Sequence, residues 1–345
     1  MPPVPVTLGG LFEVGPVTDT LAWVSITLFV AAAGVEWYGR QTGPPTNSDV
    51  RTRFATQARY IAAVAWAAFA FFWLNLIPHF AFVQQSYVEG ILTVVAVPAC
   101  LYVGYLLLQG RETLFILSRA VAMMGVLYLP FETIPAITLG GIAVPEPRRV
   151  FIELVAVHTA TVIDLLGQSP ELIESHEGYE AAFLWIYGAE EQPIIINTVL
   201  ACTGIGSMAI FGGLVAAVRA PLSRKLKALA VSLPVIYVLN IIRTTFINVV
   251  YGNQYMQWAP DVVLMAFGAE NVYRVSFLLS DRVFAQVFAV VALVGITYLV
   301  SRQLPELVIV LEDVLYVLTG EEQDLLETLD LPREPTPQPE SLRDR

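Results

Sequence analysis

The chain has 345 residues, 56% of them hydrophobic and only 14% charged, with a formal net charge of −11. Soluble domains carry about 25% charged residues, so an ordinary soluble protein is excluded, as is a nucleic-acid binder, which needs a basic surface. Two cysteines, Cys100 and Cys202, exclude a disulfide framework, and the mean hydropathy of +0.64 marks a membrane protein.

A helix crosses the hydrocarbon core with roughly 20 apolar residues. The pattern predicts an all-α polytopic protein with seven spans, at 17–38, 60–82, 87–108, 113–131, 199–218, 228–250 and 283–301. The first lacks a basic leader and a small-residue cleavage site, so it is expected to remain, with Trp37 and Tyr38 at the interface. Arg40, Arg51, Arg53 and Arg59 crowd the first loop, Arg111 the third, and Arg219, Arg224, Lys225 and Lys227 the fifth; Arg302 follows the last span. With seven spans all these loops share one side, which the positive-inside rule makes cytoplasmic.

Two long segments then lie outside. Within 132–198, residues 150–166 have helical apolar spacing but carry Glu153, His158 and Asp164, and are expected as an interfacial amphipathic helix. Were they a span, the cationic 219–227 turn would face outward. Residues 181–198 predict an extended hairpin, and 251–281 a polar cap. Residues 304–319 predict a membrane-surface helix (Leu307, Val310, Leu311, Val314, Leu315, Leu318). The expected organisation is an outer N-terminal segment (1–16), N-terminal membrane helices (17–112), a catalytic membrane core (113–303), the interfacial helix, and a disordered acidic tail (320–345). Lys225 and Lys227 are the only lysines among 19 cations. An acidic, Arg-rich chain of this kind suits a high-salt cytoplasm, where surface pairs are screened within about 3 Å at 1 M.

Ionisable groups within a membrane are costly and point to function. Three stand out: Cys202 in Ala201-Cys202-Thr203-Gly204-Ile205-Gly206-Ser207, Arg243 in Asn240-Ile241-Ile242-Arg243-Thr244, and Arg282 in Ser280-Asp281-Arg282. The sidedness deduced from other residues puts all three at one depth near the outer face. A thiol reacts as its thiolate, which a guanidinium or a helix N-terminus stabilises. Arg cannot act as a base, but it can hold the oxyanion of an acyl transfer. Asn240, one helical turn from Arg243, is expected with Thr203 and Gly204 to contact substrate. Cys100 reads as a small apolar filler. His79, His158 and His176 are candidate bases that no spacing ties to Cys202, and no Cys/His cluster for a metal occurs. An intramembrane Arg also serves in anion pathways or structural pairs, and Arg282 could snorkel.

The Cys202 motif, followed about forty residues on by Asn240-x-x-Arg243 and about forty further by Arg282, resembles the archaeosortase branch of the exosortase/archaeosortase family. The resemblance covers roughly 113–301, through Leu129-Pro130-Phe131-Glu132-Thr133-Ile134-Pro135. Many relatives have His at the third position, where Arg282 stands here. The resemblance implies a multi-pass cysteine transpeptidase with an extracellular site and no cofactor or metal. Its implied partners are exported proteins with a C-terminal Pro-Gly-Phe signal and a membrane helix, and a membrane lipid as acceptor. It implies a thioester at Cys202, with Arg243 and Arg282 stabilising charge. Simple hydrolysis, a transporter with an Arg-lined path and a non-catalytic scaffold are the competing readings. A transporter predicts internal repeats, which the sequence lacks, and it would tolerate loss of Cys202.

Overall fold

The computed structural model of the protein describes residues 15–42, 48–83, 87–140, 142–189, 191–321 and 325. Its helices are α1 (Pro16–Thr42), α2 (Ser48–Pro78), α3 (Tyr87–Leu108), α4 (Phe115–Thr133), α5 (Pro147–Leu165), α6 (Ile205–Ala217), α7 (Leu222–Gly252), α8 (Pro260–Phe267), α9 (Arg274–Phe277), α10 (Ala285–Gln303) and α11 (Leu307–Thr319). Strands β1 (Ile137–Leu139) and β2 (Ile142–Val144) form a small hairpin. A second sheet has the order β3 (Glu171–Glu174), β4 (Glu180–Tyr187), β5 (Gln192–Asn197), antiparallel throughout. Apart from residues 15–16 and 320, 321 and 325, the expected N-terminal segment and acidic tail lie outside the described residues.

Among the described residues, six helices are long and apolar enough to cross a membrane: α1, α2, α3, α4, α7, and the continuous run Arg274–Gln303. That run joins α9 to α10 through a π-helical segment, Leu278–Phe284. The fifth expected span, 199–218, takes a different form. A tight turn at Leu200–Thr203 precedes a helix of only 13 residues, α6. Gly204 separates them in the left-handed region at φ 78°, a conformation that does not propagate a right-handed helix. At 1.5 Å per residue α6 is about 20 Å long, so Cys202 sits on a turn within the bundle.

The long helices pack in the succession α3, α2, α1, α4, α6, α7, α10. Phe29, Trp66, Leu107 and Leu114 fill the core of the first four helices, and Trp66 Nε1 donates to Ser118 Oγ at 2.9 Å. Short α6 is held against α4 by direct backbone approach. A Cβ on Gly213 would stand 2.7 Å from the Met124 nitrogen and 2.8 Å from the Ala120 oxygen, the small-residue contact that membrane helices favour. Phe211 and Val215 of α6 then join Ile236 of α7 and Ile296 and Val300 of α10.

The two ends of the bundle differ. At one end Glu36 takes ion pairs from Arg40, Arg119 and Arg219, Arg224 pairs with Glu306, and Arg111 lies 3.8 Å from Asp313 on α11. Apart from Arg119, which lies within α4, these cations belong to the segments expected on the cytoplasmic side. The opposite end carries the hairpin, α5 and the three-stranded sheet. Helix α5 is not among the helices apolar enough to cross. Its buried face (Ile152, Val155, Ala156, Thr159, Ile163) has helical spacing and packs on β4 and on the Cys202 turn. Phe183 and Trp185 of β4 and Ile194 and Ile196 of β5 complete that core. The hairpin expected over 181–198 is β4–β5; the third strand, the β1–β2 hairpin and α8 add to what the pattern predicts.

Candidate active site

The Cys202 turn is fixed from within and from α7. Its own N–H donates to the Val199 carbonyl at 2.8 Å. Thr203 is fully buried; its hydroxyl donates to the Leu200 carbonyl at 2.7 Å and accepts from the Ile205 N–H at 3.4 Å. Asn240 Nδ2 donates to the Cys202 carbonyl at 2.8 Å, and the Thr244 hydroxyl shares its proton between the Asn240 carbonyl at 2.9 Å and that same Cys202 oxygen at 3.3 Å. These donors are four residues apart and so share one face of α7. Gly204 completes the fit, because a Cβ there would stand 3.0 Å from Asn240 Cγ. The cysteine carbonyl and backbone are thus immobilised, and the half-buried thiol is free of any disulfide.

Both arginines approach this turn, each held by a carboxylate. Arg243 Nη2 donates to Asp281 Oδ1 at 2.8 Å. The other Asp281 oxygen lies 3.5 Å from Arg282 Nε, and Arg282 Nη1 lies 3.7 Å from Glu89 Oε2 of α3. The result is a chain of alternating charge, Arg243–Asp281–Arg282–Glu89. The charges of Arg243, Asp281 and Arg282 all reach the Cys202 thiol. Asp281 and Arg282 lie in the π-helical segment, where the Ala285 N–H reaches back five residues to the Ser280 carbonyl. Such segments are rare within helices and recur at functional sites.

Arg243 lies nine residues before the end of α7 at Gly252, about 13 Å along the axis. The site is therefore recessed beneath the cap formed by α5 and the sheet, at the end of the bundle opposite the Glu36 cluster. All six sequence-selected residues meet here: Cys202, Arg243 and Arg282 through their charges, and Thr203, Gly204 and Asn240 through the backbone of the turn. The last three are occupied in shaping the turn. Three further residues, Asp281, Thr244 and Glu89, have no individual motif. Thr244 was visible only as part of the polar i, i+4 series Asn240, Thr244, Asn248 on an apolar helix, a series continued by Asn248 Nδ2 donating to the Thr244 carbonyl at 2.9 Å.

The histidines go elsewhere. His158 Nδ1 shares a hydrogen bond with the Tyr237 hydroxyl, His79 opens the π turn after α2, and His176 is exposed in the β3–β4 turn, 4.0 Å from Glu177. Among the described residues there is no group of three or more His, Cys, Asp or Glu side chains that could hold a metal. Chemically, the two guanidiniums favour the Cys202 thiolate against the opposing effects of burial and of the Asp281 charge, and they offer donors for a developing oxyanion.

A polytopic helix bundle with a thiol and two arginines gathered beneath a cap of helix and sheet defines a class of multi-pass membrane protein with a polar cluster at one end. The chain belongs to the transmembrane exosortase family, whose model matches residues 17–280. The match takes in Cys202 and Arg243 and ends just before Arg282. It also begins well upstream of the 113–301 region in which the motifs lie, so the first helices belong to the family as well. Archaeosortase A of Haloferax volcanii is 52% identical over 317 residues, covering 92% of this chain and 99% of that protein. Archaeosortase A of Natronomonas pharaonis is 42% identical over 306 residues, covering 88% and 90%. The acidic, lysine-poor composition agrees with these haloarchaeal relatives. No solved structure matches the chain significantly.

Proposed function

We propose that this protein is a membrane-embedded cysteine transpeptidase that processes C-terminal sorting signals of exported proteins. The observation that carries the proposal is the convergence of Cys202, Arg243 and Arg282 on one recessed turn in a chain of the exosortase family. The Archaeosortase A relatives, similar over nearly the whole length, support the same activity.

In this scheme Cys202 is the nucleophile. Its sulfur attacks the carbonyl carbon of the scissile peptide bond, and Arg243 and Arg282 stabilise first the thiolate and then the oxyanion of the tetrahedral intermediate. The C–N bond breaks, the departing amine takes up the proton that the thiol lost, and a thioester remains. An amine on a membrane lipid then attacks the thioester, forms the new C-terminal bond and returns the sulfur to its thiol form. Asn240, Thr203, Thr244 and Gly204 position the turn against which the substrate lies. The substrate is an exported protein whose Pro-Gly-Phe signal precedes a membrane helix. The cationic end of the bundle faces the cytoplasm, which puts the site on the extracellular side, where an exported but still tethered substrate presents its cleavage point. Residues 113–303 form the catalytic core.

The test is processing of a reporter that ends in such a signal, in membranes carrying either the wild type or Cys202→Ala. The wild type yields a shortened product whose C-terminal mass carries a lipid adduct, and the variant leaves the precursor intact. A free carboxylate on the product would make the protein a hydrolase. Continued processing by Cys202→Ala would end the cysteine mechanism altogether.

A further inference from the structure

A guanidinium has five N–H donors in a plane and no preference for one orientation unless something holds it. Arg243 and Arg282 come from two different helices, so bringing both to one thiol requires a common anchor. Asp281 provides it. One oxygen accepts from Arg243 Nη2 at 2.8 Å and the other faces Arg282 Nε at 3.5 Å. The carboxylate is mostly buried, with 13% of its side chain exposed, against 27% for Arg243 and 17% for Arg282.

Local backbone makes this bridge possible. On a regular α-helix, adjacent side chains diverge and do not face a common partner. Asp281 and Arg282 are adjacent, yet they interact with each other while Asp281 also reaches Arg243. They do so inside the π-helical segment Leu278–Phe284, which alters the angular spacing. A second carboxylate supports the outer arginine: Glu89, at the start of α3, lies 3.7 Å from Arg282 Nη1. The same end of α3 docks on the α8 region, where the Tyr87 hydroxyl donates to the Ala266 carbonyl and the Tyr87 and Phe267 ring centroids lie 5.4 Å apart. An N-terminal helix thus braces the arginine pair.

We propose that Asp281 is a positioning residue of this site, its carboxylate clamping Arg243 and Arg282 in the orientation that serves the Cys202 sulfur. The proposal rests on the cysteine-enzyme assignment above. Arg243 gives Nη2 to Asp281, and Arg282 turns Nε to Asp281 and Nη1 to Glu89; the remaining N–H groups are left as donors for the thiolate and the oxyanion. Charge balance also matters: the two cations face Asp281 and Glu89, so the free site carries no large uncompensated charge within the bundle.

The experiment compares Asp281→Asn and Asp281→Glu with the wild type in the full-length protein. It measures kcat and KM for reporter processing, together with alkylation of both cysteines by iodoacetamide, read by mass spectrometry. Asn keeps the shape but not the ion pairs, so kcat falls at least tenfold while KM stays within about threefold. Glu restores the charge and recovers a large part of the loss. Cys202 remains reactive in all three proteins. Cys100, buried in the core of the first four helices, stays unlabelled and reports an intact fold. Asp281→Asn activity within threefold of wild type would overturn the proposal. So would a loss that Glu does not recover and that comes with Cys100 labelling, since that marks a structural role. Cys202→Ala in the same assay separates the two claims: if it still processes the reporter, the cysteine mechanism fails, whatever Asp281 does.

Discussion

At the cationic end of the bundle, Glu36 gathers Arg40, Arg119 and Arg219 from separate segments of the chain. At the capped end, Asp281 gathers Arg243 and Arg282. Both clusters use one carboxylate to hold arginines from different helices, and both lie partly out of water. What separates them is the third component. The capped end adds a thiol on an immobilised turn, at the head of a helix too short to span, whereas the Glu36 cluster only ties Arg40 of α1, Arg119 of α4 and Arg219 to one carboxylate. Guanidinium–carboxylate pairing alone is therefore a fastening. It becomes chemistry where a nucleophile is held within reach of the same charges.

The comparison is broken most directly at the cysteines. Cys202→Ala should abolish reporter processing, by at least ~10³-fold, as removal of a nucleophile does in other acyl-transfer enzymes, with no loss of folded protein. Cys100→Ala should leave processing within twofold and act only on stability, since Cys100 fills the core of the first four helices. A quantitative cleavage assay on membranes containing equal amounts of each protein decides between them. Equal sensitivity of the two positions would show that the turn at the capped end gives Cys202 no special role.

Matched arginine substitutions sharpen it. Arg243→Lys keeps the charge but loses the planar fork that meets Asp281 and an oxyanion together. Loss of one oxyanion donor costs about 10²–10³ in kcat, and a fall of that size is expected here. Arg219→Lys, on an exposed arginine at the Glu36 cluster, should change kcat less than twofold, because exposed pairs contribute only ~0–1 kcal/mol. Comparable losses from both would mean that Arg243 is a fastening too.

Gly204→Ala probes the turn rather than the charges. The position has φ 78°, and a Cβ would press on Asn240 at 3.0 Å. Strained backbone of this kind costs about 1–3 kcal/mol. The Asn240–Cys202 hydrogen bond should loosen and kcat fall about tenfold, with a smaller shift in thermal midpoint. Alanine at the open Gly206, where nothing lies within 4 Å, should be tolerated and serves as the control.

Much of the architecture was legible because a bilayer simplifies the code. Long apolar runs had one use, and the loop arginines oriented them consistently. The amphipathic 150–166 segment could be withheld from the spans because inserting it would have reversed a cationic loop. Cys202, Arg243 and Arg282 were visible as isolated polar residues in apolar surroundings. Asp281 was not singled out, although it was in plain view beside Arg282, because its importance depends on a π-helical turn that no periodicity announces. Glu89 was hidden for a different reason: it is 193 residues from its partner, and only the packing of α3 brings the two together. The short α6 was also illegible. Residues 199–218 have the composition of a full span, and what stops the helix is a single left-handed glycine.

The smallest expected effect lies at the cationic end, in Asp313 of α11. Its carboxylate accepts from Thr113 Oγ1 at 2.9 Å and lies 3.8 Å from Arg111 Nε. Burial pushes its carboxyl above the ordinary range, against the opposing pull of Thr113 and Arg111. A carboxyl whose folded-state pKa is raised binds its proton more readily in the native protein. Its stabilising contribution is therefore greatest at low pH and is lost as pH rises from the unfolded value through the folded one. Asp313→Asn mimics the protonated form and still accepts the Thr113 hydrogen bond. At neutral pH it should shift the thermal midpoint by only a few degrees, toward stability or not at all, and should flatten the dependence of that midpoint on pH just above the ordinary carboxylate range. Processing should be unchanged. A large loss of activity from this substitution, measured beside Asp281→Asn, would show that the two ends are coupled.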